Sequence, residues 1–345
     1  MKALIKTKYI KEIRKLLKGE YIDIYVDSEG IVDITTTKDN VTILVNLICE
    51  ETEQGDKSIL SGLLDCIDDE EFMIHDKLIV AGRTKIHDLY DAKPEKKIEL
   101  KLDNHVLRIS NEELQKGLEC VYCVAKTDDR KILKNIYVNE NEFVALDGYR
   151  MAIRRVNAEA KNEFYIHQNL AKVLTKLKKY TGDVEFFLDG DRTIVYIDGL
   201  YIISKKEAEK DIRFVNYRSL IPKDQNKFVK FNKYELKELK DTLRRNIKFG
   251  MNANNPLKLR FEKSKSNDID ILKLNFGNEL EKTLSCTVKN IEDEFKIGIN
   301  PRYLLEGLKN YNDSITMKFN SEVSPIIIED DNKTELMLPI KIIRK

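Results

Sequence analysis

The sequence predicts an α+β protein of three repeated domains, each with two helices packed on antiparallel sheets. Helical periodicity and strand-like runs alternate as helix, strands, helix, strands, and that order recurs three times at a spacing slightly over 100 residues. The wording also echoes, Thr7-Lys-Tyr-Ile-Lys-Glu-Ile13 against Asn232-Lys-Tyr-Glu-Leu-Lys-Glu-Leu239. At 345 residues the chain is too long for one small core. A period far longer than that of solenoids implies duplicated domains, with boundaries at 1–104, 105–217 and 218–345.

The elements follow in order. Thr7–Lys18 reads as a helix because Tyr9, Ile10, Ile13, Leu16 and Leu17 share one face, and Gly19 stops it. Strands are expected at Tyr21–Val26, Ile31–Thr36 and Asn40–Ile48. A second helix is expected over Lys57–Ile67, then strands at Glu71–His75, Leu78–Ala81 and Thr84–Tyr90. The second pass has strands Ile98–Leu102 and Val106–Ile109 and a helix from the capping box Ser110-Asn-Glu-Glu113 to Ala125. Strands Lys134–Val138, Glu142–Leu146 and Met151–Val156, helix Gln168–Lys179, and strands Val184–Leu188, Thr193–Ile197 and Leu200–Ser204 complete it. The third has strand Phe228–Phe231, a helix from the capping box Asn232-Lys-Tyr-Glu235 to about Phe249, and strands Leu257–Phe261, Ile269–Phe276 and Leu280–Val288. A helix capped by Asn300-Pro301 and strands Ser314–Asn320, Pro325–Glu329 and Glu335–Ile342 close the chain.

Little in the sequence points to catalysis. No phosphate loop, dinucleotide fingerprint or nucleophile elbow is present. Cys49, Cys66, Cys120, Cys123 and Cys286 are an odd number scattered over a long chain, which argues against a disulfide framework, and Cys120-Val-Tyr-Cys123 lacks a second thiol pair or nearby His to complete a zinc site. The four histidines are isolated, and no metal or cofactor is expected. Lys6, Lys8 and Lys11 interrupt the apolar start at Met1–Ile5, no apolar run reaches membrane-spanning length, and a cytoplasmic protein is expected. The acidic clusters Asp68–Glu71 and Glu329–Asp331 read as solvated turns; a metal-dependent nuclease using them is the reading from another class.

Net charge is only +1, but it is segregated. Lys6–Lys18 has six basic residues against one acid, His167–Lys179 four against none, and Lys230–Lys248 seven against three. Such helix faces attract a phosphate backbone without reading its sequence.

Asn141–Val156 organises the rest. Two apolar runs flank Asp147-Gly148, the signature of a tight hairpin. The word Ala145-Leu-Asp-Gly-Tyr-Arg-Met-Ala152 also resembles the A-T-D-G-H-R-L-A signature of the bacterial DNA polymerase sliding clamp, the polymerase III β subunit. Further segments resemble the same family in the same order: Tyr122-Cys-Val-Ala-Lys-Thr-Asp-Asp-Arg130, Phe214-Val-Asn-Tyr-Arg-Ser-Leu-Ile-Pro222, Gly298-Ile-Asn-Pro-Arg-Tyr-Leu-Leu-Glu-Gly-Leu308, Pro325–Glu329 and Leu336-Met-Leu-Pro-Ile340.

The resemblance implies clamp domains arranged as a head-to-tail homodimer, a six-domain ring threaded by double-stranded DNA. It implies a non-catalytic processivity factor of DNA replication that tethers the replicative polymerase, the clamp loader and repair proteins by short apolar peptides. The implied peptide cleft comprises Leu133, Leu146, Gly148, Tyr149, Arg150, Met151, Val215, Leu220, Leu336, Met337, Leu338, Pro339 and Ile340, with Arg150 meeting the peptide's polar ends. The implied DNA contacts are Lys18, Lys57, Thr127, Lys131 and Ile132, and the implied dimer contacts Ile86, Leu89, Lys248 and Phe249. Leu146, Tyr149, Val215 and Ser219 depart from the family's usual Thr, His, Pro and Arg, which bears on peptide preference. A clamp-like protein that sequesters partners without encircling DNA is the alternative within the family.

Overall fold

A computed structural model of the chain describes residues 1–49, 51–87, 94, 97–126, 129–205, 213–247, 256–264, 269–277 and 280–342. They form two compact units, one of Met1–Leu118, Val138–Asn141 and Asn157–Ala208, the other of Glu119–Tyr137, Glu142–Val156 and Glu209–Lys345.

In the first unit, strand Lys2–Lys6 runs straight into helix α1, Thr7–Leu16. Ile10, Ile13 and Leu16 are buried, and the intervening Lys8, Lys11 and Lys15 are exposed. The helix stops two residues before the expected end, where Leu17 turns extended. A side chain at Gly19 would collide with Thr36 Oγ1, so glycine lets the chain settle against strand Ile31–Lys38. Helix α2, Asn111–Leu118, and helix α3, Gln168–Leu174, are shorter than their periodicity suggests. Tyr180 Oη donates to Glu12 at 2.5 Å and Lys176 Nζ to the Leu16 carbonyl at 2.6 Å, tying the exit of α3 to α1.

These helices accompany an eight-stranded antiparallel sheet ordered His105–Ser110, Asp183–Asp189, Arg192–Ile197, Leu200–Lys205, Val41–Ile48, Ile31–Lys38, Tyr21–Val26, Gly55–Leu60. It is continuous because Leu200–Ser204 pairs with Val45–Val41. A five-stranded sheet holds Thr52–Glu53, Lys2–Lys6, Glu71–His75, Leu78–Ala81 and Thr84–His87.

Two expectations are corrected here. Lys57–Ile67 is not a helix: Gly55–Leu60 pairs with Tyr21–Val26, and only Leu63–Cys66 coils, as a single 3-10 turn. The apolar spacing suits both states, but Ser61-Gly62 breaks the segment and the free sheet edge captures its first half. Ile98–Leu102 joins no ladder. Ile98, Leu100 and Leu102 lie instead on a cluster of Leu44, Phe187, Ile194 and Ile203 on the sheet's face.

In the second unit ten strands of one sheet run Glu142–Leu146, Arg150–Arg155, Lys333–Met337, Ile326–Glu329, Ile315–Phe319, Lys227–Phe231, Leu280–Lys289, Asp270–Phe276, Leu257–Glu262, Glu294–Ile299. The last of these has no counterpart in the sequence reading. Helix α4, Lys233–Asn246, begins with the expected capping box: Asn232 accepts from the Tyr234 and Glu235 amides while Glu235 accepts from the Asn232 amide. Helix α5, Pro301–Leu308, is capped by Asn300, which accepts from Arg302 N at 3.0 Å. Leu236, Leu239 and Leu243 of α4 and Leu304 and Leu308 of α5 share one core with Phe231, Phe261 and Phe319. Cys120 and Cys123 are both fully buried on a 3-10 turn, Glu119–Cys123, rather than on a helix. Among the described residues no helix is long and apolar enough to cross a membrane.

Candidate functional site

The hairpin at the organising motif is built by its own side chains. Leu146 faces Met151 across the ladder, and Asp147 closes the loop by accepting from the amides of Tyr149 and Arg150 at 3.0 and 3.1 Å. Gly148 takes φ +88°, a left-handed conformation that leaves the glycine without steric cost, and a Cβ there would press on Arg130 Nη2 at 3.0 Å. The last strand pairs alongside, with Met151 opposite Leu336 and Arg150 opposite Met337. Beyond Met337 the chain leaves the ladder but stays pinned: Leu338 N donates to the Tyr149 carbonyl and Ile340 N to the Gly298 carbonyl, both at 2.8 Å. Leu146, Gly148, Tyr149, Arg150, Met151 and Leu336–Ile340 are therefore brought together.

Their exposures divide them by role. Leu133, Leu146, Met151, Leu336 and Met337 are buried. Tyr149, Val215, Leu220 and Leu338 are four of the eight large hydrophobic side chains that stay exposed among the described residues. Isolated exposed hydrophobics are ordinary, but a pinned pair such as Tyr149 and Leu338 offers apolar surface for a partner. Val215 and Leu220 sit on a segment anchored at the other end of the hairpin. There Tyr217 Oη and Arg218 Nη2 donate to Glu142 at 2.5 and 3.0 Å, and Phe214 stacks on Tyr137 with centroids 4.7 Å apart.

Arg150 is bound within the chain. Its Nε donates to Asp147 at 2.8 Å and its Nη2 to the Tyr122 carbonyl at 2.9 Å, and Nη1 pairs with Glu306. The guanidinium lies 4.2 Å from the Tyr303 ring centroid and 5.3 Å from that of Tyr122, and its side chain is only 9% exposed. It ties the hairpin, the 3-10 turn and α5 together with three of its five N–H donors. Tyr122, Tyr303 and Glu306 lie within the resembling segments, and their residue types give no sign that they enclose Arg150.

Beneath the hairpin lies a buried ionic cluster that the sequence did not disclose. Arg154 Nη2 donates to Glu335 at 2.5 Å, both side chains 1% exposed, and Tyr122 Oη donates to the other Glu335 oxygen. Burial pushes the Glu335 carboxyl up to about 7, in spite of Arg154 and the Tyr122 hydroxyl. The cluster clamps the last strand to the hairpin. Like most buried pairs, it makes removal of one partner costly.

The positions expected to touch DNA are placed differently from one another. Lys18 is exposed just after α1, and Lys131 is exposed on the 3-10 turn Lys131–Lys134. Lys57 Nζ is held by the Asp76 carbonyl at 2.5 Å. Ile132 is 6% exposed, so its side chain belongs to the core. Thr127 lies outside the described residues, as do Leu89, Lys248 and Phe249. Ile86 lies on Thr84–His87, the outermost strand of its sheet. The acidic cluster near Glu329 is a turn: Asp330 accepts from the amides of Asn332 and Lys333. Among the described residues, no group of His, Cys, Asp and Glu is arranged to hold a metal.

Helices and antiparallel sheets in this order make the fold that of the DNA sliding clamps. More particularly, residues 218–341 match the family model for the DNA polymerase III beta subunit, C-terminal domain. Over its length the chain is similar to the DnaN sliding clamp (DNA polymerase III subunit beta) of Bartonella birtlesii, with 17% identity, TM-score 0.82, and 99% of this chain and 100% of that one covered. The DNA polymerase III subunit beta of Pseudomonas aeruginosa gives 16% identity, TM-score 0.82 and the same coverage. The beta subunit of Thermotoga maritima gives 17% identity and TM-score 0.78, again covering 99% and 100%. No curated protein sequence matches the chain.

Proposed function

We propose that this protein is a DNA sliding clamp, a processivity factor of three clamp domains at 1–104, 105–217 and 218–345 that pairs head to tail as a homodimer around double-stranded DNA. The observation that carries this reading is the likeness to β clamps over 99% of the chain at a TM-score of 0.82, joined to the family match of residues 218–341. A clamp makes and breaks no bond. Lys18, Lys57, Thr127 and Lys131 would meet phosphates without reading sequence, and Ile132 would support them from the core.

The replicative polymerase, the clamp loader and repair proteins would dock short peptides on the cleft of Tyr149, Val215, Leu220 and Leu338, above the floor of Leu133, Leu146, Met151, Leu336 and Met337, with Gly148, Pro339 and Ile340 at its margins. Arg150 would hold the hairpin in shape and offer its remaining donors to the peptide's polar ends. Ile86 and Leu89 on one protomer and Lys248 and Phe249 on its partner would close the ring. The site of action is the cytoplasm, and no cofactor is needed.

Absolute mass by light scattering, from micromolar to nanomolar protein, tests the reading. A mass twice the 40.3 kDa of one chain, persisting on dilution, is the expected result. A monomer at every concentration would overturn it in favour of a clamp-like protein that sequesters partners.

A further inference from the structure

We propose that the sheet face beside Lys97–Leu102 docks a second protein, through a segment in which a lysine or arginine is followed by apolar residues at alternate positions. The inference goes beyond the clamp reading and does not rest on it. An open cavity of about 570 Å³ lies there, within the roughly 300–1,000 Å³ of ordinary ligand sites. Asp27, Ile31, Asp33, Leu44, Lys97 and Tyr201 are among the residues that line it.

Strand alternation makes the apolar part of this face. On Val41–Ile48, the side chains of Leu44, Asn46 and Ile48 share one side. Leu44 is buried, but Asn46 is exposed and Ile48 is 88% exposed. Ile48 stands opposite Ile31, and Leu44 opposite Tyr201, so the apolar surface runs across three strands. The Tyr201 and Tyr196 rings pack beside it with centroids 4.9 Å apart. A single exposed isoleucine is ordinary; one continuous with a lined cavity offers a partner apolar surface.

Charge decides which kind of partner fits. Asp33 Oδ1 accepts from Asn46 Nδ2 at 2.7 Å, and Asp27 Oδ1 accepts from the amides of Glu29 and Ile31 at 2.9 Å. The second oxygens of both carboxylates turn to one cation. Lys97 Nζ lies 3.2 Å from Asp33 Oδ2 and 4.0 Å from Asp27 Oδ2. The Asp33 side chain is only 8% exposed, so its charge needs a cation beside it, whereas Lys97 is 47% exposed on a segment that joins no ladder. The chain itself therefore shows the chemistry that the face accepts. Lys97 meets the carboxylates, and Ile98, Leu100 and Leu102 lie on the cluster of Leu44, Phe187, Ile194 and Ile203. Arg192 Nη2 donates to the Glu99 carbonyl and Leu188 N to the Asn104 carbonyl, both at 3.0 Å, which fastens the segment beyond Lys97. The cavity continues past Lys97 to Asp27 and Ile31. A partner's cation would replace Lys97 between the two carboxylates, and its apolar residues would cover Ile31 and Ile48.

Binding of the labelled peptide Arg-Ile-Ser-Leu-Ser-Ile to the full chain, read by fluorescence anisotropy, tests this, with Leu338→Asp as a parallel background that removes the proposed cleft. Lys97→Ser frees both carboxylates and should tighten binding about two- to fivefold, the weight of an exposed ion pair. A lysine with a structural role alone would give no such gain. Asp27→Asn combined with Asp33→Asn keeps both Oδ1 acceptors and should weaken binding about tenfold, with most of its salt dependence lost. Ile48→Ser should weaken it about fivefold. Lys101→Ser, exposed on the same segment, is the control and should leave affinity unchanged. Affinity that ignores the substitutions at 97, 27, 33 and 48 would overturn the proposal. So would absence of binding in both wild type and Lys97→Ser, which would make the chain's own segment the permanent cover. Binding abolished by Leu338→Asp would place the peptide in the cleft and overturn it too. A mass that halves in Ile48→Ser would make the face a contact between two copies of the chain, with the same consequence.

Discussion

Leu338 and Met151 lie on adjoining parts of the proposed cleft and should fail in opposite ways when truncated. Leu338 is 40% exposed, so a docking peptide can still cover a substantial part of its surface. Full burial of a leucine is worth roughly 1.5–3 kcal/mol, and covering the exposed fraction comes to about 1 kcal/mol, roughly fivefold in affinity. Leu338→Ala should therefore weaken binding of a short peptide with two apolar anchors about fivefold and lower Tm by only a few degrees. Leu338→Asp places a carboxylate where the anchor would sit and should cost on the order of 100-fold in affinity, again without unfolding the chain. Met151 is 1% exposed. Met151→Ala should cost about 2–5 kcal/mol of stability, so any loss of peptide affinity would follow a loss of fold. Fluorescence anisotropy with a labelled peptide, read beside thermal unfolding of the same samples, separates the two effects. Wild-type peptide affinity in Leu338→Asp with an unchanged Tm would refute the assignment of the cleft.

Other predictions follow from the same geometry. The Glu335 carboxyl is raised to about 7 from its ordinary 4.5 by burial, so the folded chain holds a proton there that the unfolded chain has released. Its contribution to stability should fall as pH rises through that window, and the stability of wild type relative to Glu335→Gln, measured by urea unfolding from pH 5 to 8, should decline; a flat difference would contradict a raised carboxyl. Gly148→Ala forces a side chain into φ +88° beside Arg130 and should cost about 1–2 kcal/mol in thermal unfolding, an effect absent from Gly62→Ala, where a Cβ meets open space. Asn232→Ala removes the acceptor for two amides at the start of α4 and should cost about 1 kcal/mol, with Asn232→Asp nearly neutral.

What was legible in the sequence were features that local chemistry decides. Asn232 with Glu235, and Asn300 before Pro301, announce their helices because the caps act within a few residues. Tyr21–Val26, Glu71–His75 and Leu78–Ala81 fall at their expected bounds because alternation and turn residues agree there. The helix expected over Lys57–Ile67 does not form because, although apolar residues at 59, 60, 63, 64 and 67 satisfy a helical stripe, the edge of Tyr21–Val26, distant in sequence, decides for a strand over Gly55–Leu60. Ile98–Leu102 shows the converse, strand alternation serving a chain laid across a sheet face. At the candidate site, motif words located the hairpin and the last strand. They could not show that Arg150 is enclosed by Tyr122, Tyr303 and Glu306, or that Arg154 and Glu335, 181 residues apart, share a buried bond. Those contacts depend on tertiary proximity.

Topological retention on DNA tests the central claim most directly. The protein is loaded on nicked circular duplex, washed in high salt to remove electrostatic binding, and the circle is then cut once with a restriction enzyme. A clamp stays on the intact circle and slides off after the cut. Loss in the high-salt wash, or equal retention on cut and uncut DNA, would contradict encirclement.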